Sequence, residues 1–295
     1  MKYLNSYSIK DLEELSGIKA HTIRIWELRY GLLKPNRTDT NIRLYNELQL
    51  KRLLNVAFLL KNGVKISKIS LLNDDEINEQ VLSFFNQLDT EQAIDAKINS
   101  LVVAMIELNE ALFESIFNQS VSQLGFENTI TKVIYPFLSK VGILWTLNNI
   151  QPAQEHFISN LIRQKLIANT DKQALTKNPK QKWLLFLPDG EMHEIGLLLA
   201  NYMIRQRKHQ TIYLGQNVPL EDVVQVCEQY NPQFVFTFIT APKTKEELQL
   251  LFTSIHTVDK KAIIGVSGSA HHFDFKLPTW VKHLASVNDL ETILN

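Results

Sequence analysis

Short apolar runs alternate with amphipathic stretches in the carboxyl-terminal part of the chain. Runs such as 183–187 and 234–239 have the length and the aromatic content of buried strands. The pattern predicts five strands, at 183–187, 211–214, 234–239, 262–266 and 282–285, separated by helices near 195–206, 220–230, 244–256 and 288–294. Such alternation is typical of a doubly wound parallel sheet. With the strand order 2-1-3-4-5, the loops after the first and third strands face one crevice.

The middle of the chain has a different period. From residue 90 to about 169, apolar residues recur at helical spacing in blocks at 93–103, 111–124, 130–144 and 152–168. This spacing predicts a four-helix bundle before the sheet. Residues 73–89 are acidic and amphipathic without a sustained heptad repeat, and we interpret them as a linker with helical character. Any oligomerisation is therefore expected elsewhere in the chain.

Charge separates the amino-terminal end from the rest. Residues 1–70 contain 13 Lys+Arg and 6 Asp+Glu, a net charge of +7, which the remaining residues balance. The basic end is therefore the candidate for binding a polyanion. A single cysteine excludes an internal disulfide. Neither a signal peptide nor an apolar run of the ~20 residues that a bilayer requires is present, so we expect a cytoplasmic protein without a membrane partner.

The basic segment has the pattern of a helix-turn-helix. A short helix at 9–15, the turn Ser16-Gly17-Ile18 and a second helix from about 19 to 28 have the expected spacing. His21, Thr22 and Arg24 would then lie outward at the start of the second helix. The residues that follow predict a two-stranded wing that carries Arg37 and Arg43 toward phosphate groups.

This segment resembles the winged helix-turn-helix of the mercury-resistance-regulator (MerR) family of transcription factors. The residues that carry the resemblance are Ser8-Ile9, Thr22-Ile23-Arg24-Ile25-Trp26-Glu27, Arg29-Tyr30-Gly31-Leu32, Pro35-Asn36-Arg37 and Arg43-Leu44-Tyr45. The resemblance implies a dimeric binder of double-stranded operator DNA, with contacts from His21, Thr22, Arg24, Arg29, Tyr30, Arg37, Arg43 and Tyr45. Two positions depart from the family pattern. Lys19 replaces a typical capping Ser or Thr, and Asn41-Ile42 replaces a common Gly-Tyr pair.

The loop after the first predicted strand carries a candidate ligand for a metal. It reads Pro188-Asp189-Gly190-Glu191-Met192-His193-Glu194-Ile195-Gly196 and places a histidine at the carboxyl edge of the sheet. A single loop histidine is more often a solvated side chain. No phosphate-binding glycine fingerprint follows the strand, which argues against a dinucleotide-dependent enzyme.

Residues 90–295 together resemble a cobalamin-binding module, a helical cap followed by a flavodoxin-like domain. The motif Glu191-Met192-His193-Glu194-Ile195-Gly196 is similar to the family's acidic-x-His-x-x-Gly, which implies that His193 binds cobalt and that Glu191 and Gly196 shape its loop. Thr237 and Ile239 resemble the family's Ser-x-Leu, and Ser267-Gly268 its Gly-Gly, at the site of the displaced nucleotide tail.

The predicted cap resembles that of the light-responsive repressors of carotenoid genes. Trp145, followed ten residues later by Glu155-His156, is similar to the residues that cover the upper face of the cofactor and its adenosyl group in that subgroup. The best-understood members have a histidine after the tryptophan that takes the upper cobalt position after photolysis, whereas this chain has Thr146. A threonine hydroxyl is a poor ligand for cobalt.

The sequence therefore predicts a multidomain α and α/β protein. The predicted domains are a winged helix-turn-helix at 1–72, a linker at 73–89, a helical cap at 90–170 and a flavodoxin-like five-stranded domain at 180–295. We expect a repressor, not an enzyme, that senses adenosylcobalamin and assembles into a dimer or tetramer. Two alternatives remain open, a regulator that has lost cobalamin dependence and uses the module for protein interaction, and a corrinoid carrier.

Overall fold

A computed structural model of the chain describes residues 6–38, 40–85, 90–146, 150–268 and 275–294, with the backbone alone at residues 47, 82–85, 90–93 and 143–146. The chain forms two compact units, Met1–Ser159 and Asn160–Asn295. No helix within the described ranges is long and apolar enough to cross a membrane.

The first unit begins with the predicted helix-turn-helix and wing. Its elements are α1 (Ile9–Ser16), α2 (Ala20–Tyr30), β1 (Asn36–Arg37), β2 (Arg43–Leu44), α3 (Glu47–Lys61) and α4 (Ile66–Ile69). A capping box between Ser8 and Asp11 starts α1, and Gly17 ends it in the left-handed conformation, with φ 74°. Leu12, Leu15 and Ile23 are buried and form a small core.

Helix α2 begins without a cap from its own N-cap residue. Lys19 makes no side-chain cap, but the Glu13 carboxylate on α1 accepts hydrogen bonds from the Ala20 backbone N–H at 2.9 Å and from Lys19 Nζ at 2.9 Å. These bonds, led by the one from Lys19, lower the pKa of Glu13. The preceding helix therefore supplies the cap that Lys19 lacks.

The wing turn accommodates the second departure from the family pattern. Strands β1 and β2 pair antiparallel, with Arg37 opposite Arg43. Asn41 adopts a left-handed conformation, with φ 64°, and accepts a hydrogen bond from Arg37 Nη1 at 2.6 Å. Because Asn tolerates this region better than other side chains, it takes the place that a glycine would fill.

The segment that we predicted as a linker contains a packed helix, α5 (Asp74–Phe85). Asn73 and Glu76 form reciprocal capping hydrogen bonds at its start, of 2.8 and 2.9 Å. Ile77 is buried, and Asn55 Nδ2 on α3 donates to Asn78 Oδ1 at 2.7 Å. The described part of the segment is thus a helix that packs on α3, in addition to connecting two parts of the chain.

The predicted helical blocks form a helical bundle. The elements are α6 (Thr90–Ile106), α7 (Glu110–Leu124), α8 (Phe126–Thr129), a π-helical turn (Ile130–Ile134), α9 (Tyr135–Thr146) and α10 (Pro152–Asp171). Leu101, Phe113 and Phe137 are fully buried. Gln154 Nε2 on α10 donates to the Ile106 carbonyl at 3.1 Å, which fixes the start of α10 to the end of α6. Helix α10 begins in the first unit and ends in the second.

The second unit contains the predicted parallel sheet. Its strands are β3 (Lys182–Pro188), β4 (Gln210–Val218), β5 (Phe234–Ile239), β6 (Ile263–Gly268) and β7 (Val281–His283), and its helices after α10 are α11 (Ile195–Gln206), α12 (Leu220–Tyr230), α13 (Lys245–Val258) and α14 (Val287–Leu294). The order is β4-β3-β5-β6-β7, with parallel pairing throughout. This confirms the 2-1-3-4-5 order and puts the switch point between β3 and β5.

Candidate functional site

The loops that follow β3 and β5 meet at the switch point, as the strand order predicts. The Glu191 carboxylate, in the loop after β3, accepts hydrogen bonds from the backbone N–H groups of Thr240 and Ala241, each at 2.6 Å, in the loop after β5. The loop after β3 is also fixed to the end of β4, because Asn217 Oδ1 accepts from the Gly190 N–H at 2.8 Å. One buried carboxylate thus ties the two crevice loops together.

His193 is held by the same carboxylate. Glu191 Oε1 accepts from the His193 backbone N–H at 2.9 Å and lies 2.6 Å from the ring Nδ1. The glutamate side chain is fully buried, whereas the histidine side chain is 69% exposed. With Nδ1 directed at the carboxylate, Nε2 is the ring nitrogen in position to bind a metal, and a carboxylate on Nδ1 makes such a ligand more basic.

The ionisation of Glu191 is set by two opposing effects. Burial alone would raise its pKa, but the hydrogen bonds from the His193 ring and from the backbone N–H groups of Ala241, His193 and Thr240 outweigh burial. They hold the pKa of this carboxyl far below its usual range. Glu191 is therefore a permanent anion that orients the histidine.

A second buried carboxylate lies next to His193. Glu194 accepts from Arg163 Nε on the last part of α10, and Tyr213 OH on β4 donates to it at 3.4 Å. The Glu194 side chain is only 8% exposed. Burial, reinforced by the neighbouring Glu194, raises the pKa of the Tyr213 phenol, which therefore remains a hydrogen-bond donor. The loop that carries His193 is thus held by one carboxylate on each side of the histidine, Glu191 before it and Glu194 after it.

The other predicted crevice residues lie on β5 and β6. Thr237 is fully buried, and its Oγ1 has no hydrogen-bond partner in the part of the chain that the structure describes. Ile239 is buried opposite Gly268, and Ser267 is half-buried. Gly268 has φ 129°, and a Cβ there would lie 1.8 Å from the Ile239 carbonyl oxygen. Only glycine fits this position.

The predicted DNA-binding residues of α2 lie at the surface of the first unit. His21, Arg24 and Arg29 are exposed, and the Arg29 guanidinium lies 5.8 Å from the centroid of the half-buried Tyr30 ring. Thr22 is half-buried, with its Oγ1 3.3 Å from His21 Nε2.

The wing residues separate into two kinds. Arg37 is exposed, whereas Arg43 is half-buried and donates from Nε to Glu27 Oε2 at 3.0 Å. Tyr45 is fully buried, bridges to Tyr7 through backbone hydrogen bonds, and donates its hydroxyl to Glu27. A buried phenol with an internal acceptor is not placed to contact a phosphate group. In the structure, Tyr45 is a core residue that fixes the wing, which corrects its predicted role.

Comparison with known proteins assigns two parts of the chain. Residues 7–75 match the family described as MerR HTH family regulatory protein, and residues 97–168 match the B12 binding domain family. The chain carries a MerR-type DNA-binding domain and a B12-binding domain. These matches correspond to the winged helix-turn-helix and to the helices α6 to α10.

Two relatives share both parts over most of their length. The HTH-type transcriptional repressor CarH of Myxococcus xanthus is 26% identical over 90% of this chain and 89% of its own. The HTH-type transcriptional repressor CarA of the same organism is 25% identical over 97% of this chain and 96% of its own. Among solved structures, the monomethylamine corrinoid protein of Methanosarcina barkeri covers 66% of this chain and 95% of its own, with 16% identity and a TM-score of 0.52. That likeness shows the fold alone.

The B12-binding domain contains the three predicted upper-face residues. Trp145 lies in the last turn of α9, and its side chain lies outside the described part of the chain. Glu155 and His156 lie in the first turns of α10, with 3.0 Å between Glu155 Oε2 and His156 Nδ1. Glu155 Oε1 also accepts from Ser159 Oγ at 2.6 Å. The role of these residues above a cofactor stays a prediction.

Several residues of the site were not anticipated from the sequence. Thr240 and Ala241 hold Glu191 mainly through backbone N–H groups, which leave no side-chain signal, and the Thr240 hydroxyl adds contacts of 3.2 and 3.3 Å. Phe238 lies against Gly196, where a Cβ would come within 2.6 Å of its ring. Glu27 joins α2 to the wing through Arg43 and Tyr45. Its position within the matched MerR motif was the only signal available for its importance.

Proposed function

We propose that this protein is a transcriptional repressor that binds operator DNA through its MerR-type domain and senses adenosylcobalamin through its B12-binding module. One observation carries the proposal. In a chain with a MerR-type domain, an exposed histidine at the switch point is oriented by a fully buried carboxylate, with Nδ1 2.6 Å from it. The names of CarH and CarA as repressors support the same function. Because its partner is DNA, we place the protein in the cytoplasm.

The residues of the crevice fit a cobalamin. His193 would bind cobalt through Nε2, and Glu191 would hold the ring in that orientation. The Thr237 hydroxyl, buried without a partner in the described residues, would donate a hydrogen bond to the nucleotide tail, because a buried hydroxyl gains by finding one. Bound adenosylcobalamin would supply a light-sensitive cobalt–carbon bond. In the cap, Trp145, Glu155 and His156 would cover the upper face.

Exposed basic side chains would bind the DNA. Arg24 and Arg29 extend from the recognition helix and Arg37 from the wing, positions that suit contacts with bases and phosphate groups. We also propose that the protein acts as a dimer or tetramer, because operator half-sites call for two copies of the recognition helix. A cofactor that binds the assembled state more tightly would then favour DNA binding by linkage.

A second candidate is a regulator that keeps the module for protein interaction without cobalamin. One observation favours it. Phe238 lies against Gly196 and pairs in register with the half-buried Ser267, where the family usually has glycine. Both side chains take up volume at the edge of the crevice. A corrinoid carrier has less support, since the comparisons return repressors over most of the chain.

The full-length protein, adenosylcobalamin and green light provide the test. The protein is mixed with the cofactor in darkness, and unbound cofactor is then removed. Its absorbance, its molecular mass and its binding to a duplex selected from a random library are measured before and after illumination. We expect corrinoid absorbance, assembly in the dark, and DNA binding that weakens after illumination. Equal DNA binding with and without cofactor would favour the second candidate, and methyl transfer would favour the carrier.

Paired variants identify the residues. His193→Ala should lose the cofactor on gel filtration, whereas Met192→Ala, a change at an exposed side chain of the same loop, should retain it. If His193→Ala retained the cofactor as well as the unaltered protein does, the histidine would not be its ligand. On the DNA side, Arg37→Ala should reduce the slope of log affinity against log salt by about one.

A further inference from the structure

Helix α2 presents a continuous exposed stripe that mixes cationic and apolar side chains. Its members are His21, Arg24, Ile25 and Leu28, whose spacing of i, i+3, i+4 and i+7 places them on one face of the helix. His21 and Arg24 are exposed, Ile25 is 45% exposed and Leu28 is 89% exposed. Scattered apolar residues are ordinary at a surface, but here two of them adjoin a basic residue on one stripe.

The charges on and beside the stripe indicate which kind of molecule it would bind. Arg24 belongs to it, and Arg29 is exposed beside it. The acidic residue of this helix, Glu27, lies on another face, where it accepts from Arg43 and Tyr45. The stripe therefore carries positive charge and apolar surface without a carboxylate, which suits a polyanion that also offers apolar groups.

The major groove of DNA combines these properties. Phosphate groups line it, guanine offers acceptors that an arginine can bind, and the C5-methyl group of thymine is its main apolar feature. Resting on the proposed DNA-binding function, we propose that Ile25 and Leu28 read thymine methyl groups, so that each operator half-site carries thymines beneath this stripe. Arg24, one helical turn before Leu28 and next to Ile25 in the sequence, contacts an adjacent base or phosphate.

Replacing thymine with deoxyuridine tests the proposal, because the exchange removes only the methyl group. The full-length protein first selects a duplex from a randomised library, and that duplex is then made again with deoxyuridine at its thymine positions. For the unaltered protein we expect affinity to fall about fourfold for each methyl group contacted, the value of one buried methyl-sized group.

Two variants assign the effect to the stripe. Ile25→Ala and Leu28→Ala should each bind the thymine duplex more weakly and lose part of the difference between the thymine and deoxyuridine duplexes. The control is Leu71→Ala, since Leu71 is 84% exposed but lies outside α2; it should keep the full difference. Thermal unfolding of all three variants checks that the fold is unchanged.

The outcomes separate this inference from the proposed function. A selected duplex that binds equally well with deoxyuridine would overturn the thymine contact and leave DNA binding intact. A full methyl effect that persists in both stripe variants would assign the contact to other residues and also overturn it. Selection that enriches no sequence would refute sequence-specific DNA binding, and this inference with it.

Discussion

Replacing Glu191 with glutamine should release the loop that carries His193. The two side chains have the same shape, but the amide has one acceptor oxygen where the carboxylate has two. Each Glu191 oxygen accepts from two N–H groups, Oε2 from Thr240 and Ala241 at 2.6 Å and Oε1 from the His193 backbone and ring at 2.9 and 2.6 Å. The Thr240 hydroxyl adds longer contacts of 3.3 and 3.2 Å to Oε1 and Oε2. Either orientation of the amide therefore turns an NH₂ group toward two donors.

The size of the effect follows from the bonds that are lost. A hydrogen bond to a charged group contributes about 1.5–3 kcal/mol, so losing two of them costs about 3–6 kcal/mol. The side chain is fully buried, which leaves water little access to replace them. If this energy now orients His193 for cobalt, affinity for cobalamin should fall by at least about a hundredfold, since 1.4 kcal/mol corresponds to a factor of ten.

Two measurements check this prediction. Thermal unfolding of Glu191→Gln without cofactor should show a lower midpoint, and spectrophotometric titration with adenosylcobalamin in darkness should show the loss of affinity. Glu228→Gln changes an exposed glutamate of the same unit and should match the unaltered protein in both. A Glu191→Gln protein with unchanged midpoint and unchanged affinity would refute the idea that this carboxylate organises the site.

Three further predictions concern other parts of the chain. Gly268→Ala should lower stability by about 3 kcal/mol through backbone strain and the clash with Ile239, whereas Gly142→Ala in α9, where a Cβ meets nothing within 4 Å, should raise stability by up to about 1 kcal/mol in urea unfolding. Glu27→Ala should cost about 1–3 kcal/mol by leaving the Tyr45 hydroxyl without its acceptor, and a midpoint equal to that of the exposed-site control Glu14→Ala would contradict this. Because the pKa of Glu13 is lowered in the folded state, its contribution is present above the ordinary glutamate pKa and disappears as pH falls through the lowered value; Glu13→Gln should therefore show a weaker loss of stability with acid than the unaltered protein.

The order of elements in the second unit followed from the sequence because their signals are local. The apolar runs and the intervening helical periods marked β3 to β7 and α11 to α14, and the 2-1-3-4-5 order was confirmed. The length of β4 was not predicted, since its last part includes Gly215, Gln216 and Asn217. Gly215 and Asn217 have positive φ, and Asn217 holds the strand end through bonds to the loop after β3. Such distant partners do not appear in a window of sequence.

For the candidate site, the sequence predicted the position of His193 but not the groups that fix its loop. A strand, a loop and a helix in succession placed His193 at the sheet edge, but the groups that fix its loop lie about fifty residues further on and act through backbone N–H groups. For Tyr45, the sequence predicted a DNA contact that the structure does not support. Its position beside the wing arginines suggested a contact with DNA, whereas its backbone pairs with that of Tyr7, near the start of the chain, and its ring is buried.

The two candidate binding surfaces share one physical device. In each, a carboxylate with little or no exposed surface holds a loop or turn in place, Glu27 the wing and Glu191 the histidine loop. Each of these carboxylates accepts from two groups that lie 16 or more residues away in sequence. A buried anion is costly unless several donors surround it, so each carboxylate is stable only when its loop is in place. Loop order and carboxylate burial are therefore coupled. The cofactor proposed at His193 would therefore act on its whole loop if its binding changed one of the hydrogen bonds to Glu191.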